Sequence, residues 1–88
     1  MTLRIETTRD HGNTVHHLIG RIGSENVAGI EAEVHRDRGK VALDLDEVML
    51  VDMDAVHFLV ACETEGIELL HCLPYIRAWM DREQSRAG

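Results

Sequence analysis

Aromatic residues are scarce in this chain of 88 residues: Phe58, Tyr75 and Trp79 are all it has. Its core must therefore be aliphatic, built from Leu, Ile, Val, Ala and Met. Lysine is scarcer still, with Lys40 alone. Nine basic residues face sixteen acidic ones, giving a net charge of −7 with histidine neutral. Binding to nucleic acid leans on Lys and Arg, as does attraction to anionic lipid surfaces, so the balance argues against both. It permits a basic protein partner. No apolar run approaches the length of a membrane span. Met1–Thr7 opens into strand alternation rather than a secretory h-region, so a cytoplasmic protein without membrane insertion is expected. The only cysteines, Cys62 and Cys72, form no CxxC pair and are expected to be reduced. The only serines, Ser24 and Ser85, sit on no Gly-x-Ser-x-Gly elbow, and no nucleophilic triad or other enzymatic centre is expected.

What is present reads as a single domain over residues 1–88, its core from about residue 3 to 82 and its tail, Arg82–Gly88, frayed. The 44% hydrophobic content is ordinary for a globular fold. Leu3-Arg-Ile-Glu-Thr7 alternates apolar and polar residues, as a half-buried strand does. Turn chemistry at Arg9–Asn13 joins it to a second strand, Thr14–Gly20, in a hairpin. Ser24 is a good N-cap for a helix over Glu25–Arg36, in which Val27, Ile30 and Val34 form one stripe, and Gly39 is placed to stop it. Val41–Leu45 reads as a central strand and Val48–Val51 as a further short one. A largely buried helix over Ala55–Glu65 closes at Gly66. A strand at Ile67–His71 and a final helix from Pro74 to about Asp81 or Arg82 complete the chain. Strands alternating with helices predict an α/β fold with a parallel or mixed sheet and right-handed crossovers.

The stretch Val41-Ala-Leu-Asp-Leu-Asp-Glu-Val-Met-Leu-Val-Asp-Met-Asp-Ala55 carries most of the functional signal. Asp52 and Asp54 stand where an apolar strand meets a helix start. There the free N–H groups and the helix dipole favour negative charge, and the carboxyl ends of strands are where α/β proteins bind ligands and partners. Asp44, Asp52 and Asp54 do not make the receiver-type Mg²⁺ cluster, which draws its acids from separated strands together with a partner Lys. The six histidines show no zinc spacing. His16 and His17 are adjacent, so on a strand they point to opposite faces. His57 is expected to be semi-buried and hydrogen-bonded. Neither a metal nor a cofactor is expected.

With those elements in order, the chain resembles the STAS domain shared by anti-sigma factor antagonists and sulfate transporter tails. Gly20-Arg-Ile-Gly-Ser-Glu-Asn-Val27 is similar to that family's strand-to-helix stretch, and Val41-Ala-Leu-Asp-Leu-Asp-Glu-Val48 to its central strand. Met49-Leu-Val-Asp-Met-Asp-Ala55 lies where the family has an apolar run followed by Asp-Ser-Ser-Gly. The resemblance implies a mixed four- to five-stranded sheet with helices packed mainly on one face. It implies a protein–protein interaction module whose partner is an anti-sigma factor or serine kinase-like protein. The alternative it implies is an accessory subunit paired with the ATPase of an ABC-type lipid transporter. In the family the second Ser of Asp-Ser-Ser-Gly accepts phosphate, and phosphate abolishes binding to the kinase. Here the matching position is Asp54, the preceding Ser is Met53 and the following Gly is Ala55, so the usual site offers no hydroxyl.

Asp54 therefore has two readings. It can imitate the phosphate in part, with about one charge and two oxygens against roughly −1.5 to −2 and three. It can equally be the N-cap of its helix. The expected partner surface comprises Arg21, Ser24, Glu25 and Asn26 from one loop, then Asp52, Met53, Asp54 and Ala55, with His57 on the following helix.

Overall fold

The computed structural model describes residues 2–37 and 39–87. Strand β1 (Arg4–Asp10) turns into β2 (Asn13–Ile22) through His11 and Gly12, both at positive φ of 50° and 80°. Two such residues make a type I′ turn, whose twist matches that of the flanking strands. The pair runs antiparallel in unbroken register from Arg4↔Ile19 to Asp10↔Asn13. After β2 come helix α1 (Ser24–Arg36), strand β3 (Lys40–Val51), helix α2 (Met53–Thr64), strand β4 (Glu68–Leu70) and helix α3 (Pro74–Ala87). The sheet order is β1-β2-β3-β4, with β2–β3 and β3–β4 both parallel. The two crossovers step in the same direction across the sheet. Right-handed connections of that kind place α1 and α2 on one face.

Burial follows from this layering. Along β2, buried residues alternate with half-buried ones. Leu18 and Ile22 face the helices and join Leu43, Leu45 and Val48 of β3 in the core. Ile30 and Val34 come from α1, Val56, Leu59 and Cys62 from α2, and Ile76 and Met80 from α3. The core is aliphatic, as the shortage of aromatics requires. The predicted stripe on α1 is buried at Ile30 and Val34, with Val27 packed at its margin. His16 is buried and its neighbour His17 half-exposed, the opposite facing that strand geometry demands.

Several expected boundaries move. Val41–Leu45 and Val48–Val51 are not two strands but one, because β3 absorbs Asp46 and Glu47 at an irregularity in its pairing with β2, between His17 and Ile19. The sheet accordingly has four strands. The helix expected from Ala55 begins two residues earlier, at Met53. The final helix, expected to end at about Asp81 or Arg82, continues to Ala87, while Gly88 lies outside the described residues. Gly39 does not cap α1, whose last residue is Arg36 with Asp37 as C-cap. Gly39 instead passes so close to the Gly12 carbonyl that a Cβ there would collide with it. Gly66 does close α2, in the left-handed conformation with φ 94°.

Two carboxylates, Glu63 and Glu65, sit at the end of α2, where the helix dipole disfavours them. Each finds a cation or imidazole on a neighbouring helix. Glu63 takes a two-pronged bond from Arg77 of α3, both contacts at 2.8 Å, which holds its carboxyl below the usual range. Glu65 lies 3.1 Å from His35 Nε2 of α1. These contacts tie α2 to both flanking helices.

Candidate functional site

The carboxyl ends of β2 and β3 deliver two helix starts to the same place. Asp52 is the N-cap of α2, and its Oδ1 accepts from the Ala55 N–H at 2.9 Å. Its other oxygen accepts from the Ser24 N–H at 2.8 Å, at the first residue of α1. One carboxylate therefore serves both helix N-termini. The backbone link Asp52 N–H to Ile22 C=O, 3.3 Å, holds the two strand ends together beside it. Bonding from Ala55, reinforced by Ser24 and by the charge of Arg21, keeps the Asp52 carboxyl below the usual range.

This arrangement corrects two expectations. Ser24 is not the N-cap of α1: that position is Gly23, which has no side chain to offer. Asn26 reaches back with its Oδ1 to the Gly23 N–H at 2.9 Å, and Asp52 supplies what glycine cannot. Nor is Asp54 the cap of α2. It is the second helical residue, exposed, with the cap two positions before it. Its side chain is left facing solvent in the first turn, where the helix dipole favours a negative charge.

The structure brings together most of the sequence-predicted residues. Arg21 pairs with Glu25 at 2.9 Å and adds its charge beside Asp52. Ser24, Glu25, Met53 and Asp54 are exposed around the double cap, and Asn26 is half-buried. Ala55 is fully buried and offers no surface. His57 is exposed rather than semi-buried. Its Nε2 is 2.8 Å from Glu83 of α3, and that contact lowers the Glu83 carboxyl. Asp44 lies apart from Asp52, eight residues back along β3, roughly 25 Å at strand rise.

Beside the expected Met53, sequence reasoning missed the exposed apolar side chains Met49, Leu50 and Tyr75 at this end of the sheet. Met49, Leu50, Met53 and Tyr75 are large side chains about half exposed or more. The Tyr75 hydroxyl donates to the Met49 carbonyl at 3.0 Å, which fastens the start of α3 to the end of β3. The available signal was the run Val48–Val51 itself. A strand end that leaves the helical layer exposes what the middle of the strand buries.

It also missed a polar row on the sheet face away from the helices. Asp44 lies 3.1 Å from His17 Nδ1 on β2 and 3.1 Å from His71 Nδ1 just after β4. It accepts in addition from the Asp46 N–H at 3.0 Å. Burial opposes ionisation of Asp44, but the Asp46 N–H and the two imidazoles outweigh it and hold the carboxyl low. His71 takes a left-handed backbone, φ 55°, to reach it. Among the described residues no helix is long and apolar enough to cross a membrane, and no group of three or more His, Cys, Asp or Glu side chains is arranged to hold a metal ion.

No protein-family profile matches the chain, and no curated protein matches it in sequence. Solved structures do match in shape. The anti-sigma factor antagonist SpoIIAA in its unphosphorylated form superposes with a TM-score of 0.66 at 15% identity, over 91% of this chain and 82% of SpoIIAA. An STAS-domain antisigma-factor antagonist from Rhodobacter sphaeroides gives 0.52 at 17% identity, over 78% of this chain and 82% of that one. The crystal structure of Mglu gives 0.63 at 16% identity over 78% of this chain, which corresponds to only 19% of Mglu. The fold of this chain, a mixed four-stranded sheet with three helices, is that of the STAS domain of anti-sigma factor antagonists.

Proposed function

We propose that this chain is a protein–protein interaction module of the anti-sigma factor antagonist kind, not an enzyme, and that it docks through the surface around Met53 and Asp54. The observation that carries this reading is the double cap at Asp52, with bonds of 2.8 Å to Ser24 and 2.9 Å to Ala55. It holds two helix starts rigidly together, and around them the chain exposes Met49, Leu50, Met53 and Tyr75. Exposed apolar groups rimmed by charge are what a partner buries. A preformed surface also keeps the ordering cost of binding low. The partner is an anti-sigma factor or serine kinase-like protein. Ala55, being buried, takes no part in the contact, and His57 marks the edge of the surface.

Asp54 fixes the switch position of this module in a charged state. It offers no hydroxyl, and neither does Met53 or Ala55, so a Ser/Thr kinase has nothing to modify there. The test is binding of a purified serine kinase-type anti-sigma factor from the same genome to the intact protein, Asp54→Asn, Asp54→Ser and Met53→Asp. If the Asp54 charge stands for phosphate, Asp54→Asn binds more tightly, and Asp54→Ser does so until kinase and ATP are added. Met53→Asp weakens binding in either case. Affinity unchanged in all three variants refutes the assignment of this surface.

A further inference from the structure

The β1 edge of the sheet carries a second surface. Among the described residues strand β1 is an edge, paired only with β2, and six of its seven residues are exposed. Its backbone directions follow from the hairpin. A two-residue turn closes on a hydrogen-bonded pair, here Asp10↔Asn13, and bonded and non-bonded pairs then alternate along the ladder. Arg4, Glu6, Thr8 and Asp10 therefore direct their N–H and C=O groups to β2. Ile5, Thr7 and Arg9 direct theirs outward, to the open edge. Such a row is a template for another strand.

We infer that this edge receives the β1 strand of a second copy of the chain, antiparallel and centred on Thr7, so that two four-stranded sheets become one. The sequence Arg-Ile-Glu-Thr-Thr-Arg-Asp is self-complementary in that register alone over its whole length. Ile5 faces Arg9 of the second copy and Thr7 faces Thr7. All three outward-directed residues thus fall in hydrogen-bonded pairs. Arg4 faces Asp10, twice by symmetry, in the non-bonded positions where side chains approach most closely. Sliding the strand by two residues one way sets Glu6 against Glu6, and the other way Glu6 against Asp10. A longer slide toward the turn sets Arg9 against Arg9, and one toward Arg4 leaves half the strand unpaired. The side chains that must move sit in exposed pairs: Arg4 with Glu6 at 3.2 Å, and Asp10, its side chain 75% exposed, with His11 at 3.1 Å. The contact is isologous, as a two-fold dimer requires.

A strand-edge contact is far smaller than the roughly 1,200 Å² of a standard stable interface, and two chains of net charge −7 repel. The dimer is therefore weak and reversible, with the Arg4–Asp10 pairs choosing its register. Sedimentation velocity at fixed moderate salt, from micromolar to millimolar protein, tests this. The mass of the unaltered chain rises toward twice the monomer value. Arg4→Asp and Asp10→Arg each place like charges opposite one another twice and weaken association about tenfold. The double variant restores opposite charges and recovers it. Amide exchange at Ile5, Thr7 and Arg9 slows at high concentration relative to Thr8 and Glu6. A chain that stays monomeric at millimolar concentration, single variants that associate like the unaltered chain, or a double variant that does not recover would each overturn the proposal. None of these residues lies at Asp52 or Asp54, so failure here leaves the docking reading untouched.

Discussion

Replacing Asp52 by Ala should loosen two helices at once. The Ala55 and Ser24 N–H groups both lose their acceptor. Loss of an N-cap to Ala costs about 1 kcal/mol, and a hydrogen bond to an ionised group adds roughly 1.5. The expected loss is about 2–3 kcal/mol, a large share of the roughly 4–13 kcal/mol typical of a domain this size. At about 4–8 °C per kcal/mol the melting temperature should fall by roughly 10–20 °C. Asp52→Asn separates the two roles. Its oxygen can still cap Ala55, but its NH₂ must then meet the Ser24 N–H, donor against donor, so the loss is smaller than in the Ala variant yet clear. Urea unfolding followed by Trp79 fluorescence and far-UV circular dichroism measures both, since Trp79 packs against the core. Acid supplies a further check. The folded carboxyl is held low, so its stabilisation is complete above the ordinary value of about 3.9 and is lost as pH falls through the folded one. Asp52→Asn should therefore flatten the acid limb below about pH 4. A loss under about 0.5 kcal/mol for Asp52→Ala, the size of an ordinary surface change, would refute the double cap.

Other variants probe other layers. Leu59 is fully buried on α2, and Leu59→Ala should cost about 2–5 kcal/mol in urea; a cost below half a kcal/mol would place α2 outside the core. Burial, together with the nearby Glu65 and Glu31 charges, pushes the Cys62 thiol up to about 12. Alkylation of Cys62 in the folded protein should be slow at neutral pH and fast after unfolding, as peptide mass spectrometry would read. His16 is buried against Thr7 at 2.8 Å, and burial lowers its tendency to protonate. The unfolded chain takes up that proton first, so stability should decline as pH falls below about 6.5. His16→Gln should remove that part of the slope, and an identical slope in the variant would exclude His16 as its source.

The sheet was legible because its signals are local. Alternation in Leu3–Thr7, turn chemistry within Arg9–Asn13, and the stripe Val27, Ile30, Val34 each specify an element without reference to the rest. The crossover order then follows from handedness. The errors cluster where tertiary partners decide. Asp46 and Glu47 look like a break between strands, yet β2 accommodates them by shifting register beside them. Ser24 is chemically the better cap, yet Gly23 takes the position because Asn26 and Asp52 satisfy the N–H groups from elsewhere. The row His17–Asp44–His71 spans 54 residues of sequence and exists only once three strands are in register. Nothing in the local pattern around any of the three announces it. Tyr75 is similar, since its bond to the Met49 carbonyl joins segments 26 residues apart.

The two-residue displacement of the cap changes what the candidate site can be asked. On sequence alone, Asp54 carries two competing explanations, a structural cap and a charged stand-in for phosphate, and any substitution disturbs both. In the fold they belong to different residues. Asp52 bears the structural duty, with both oxygens engaged, while Asp54 stands exposed in the first helical turn. What Asp54 contributes to stability is then a dipole interaction of a few tenths to about 1 kcal/mol at an exposed position. A change in partner affinity of tenfold, about 1.4 kcal/mol, in Asp54→Asn exceeds that contribution and cannot be passed off as unfolding if the melting curve holds. Asp52 variants supply the converse control: they should lose stability first, and binding only as far as the two helix starts move apart.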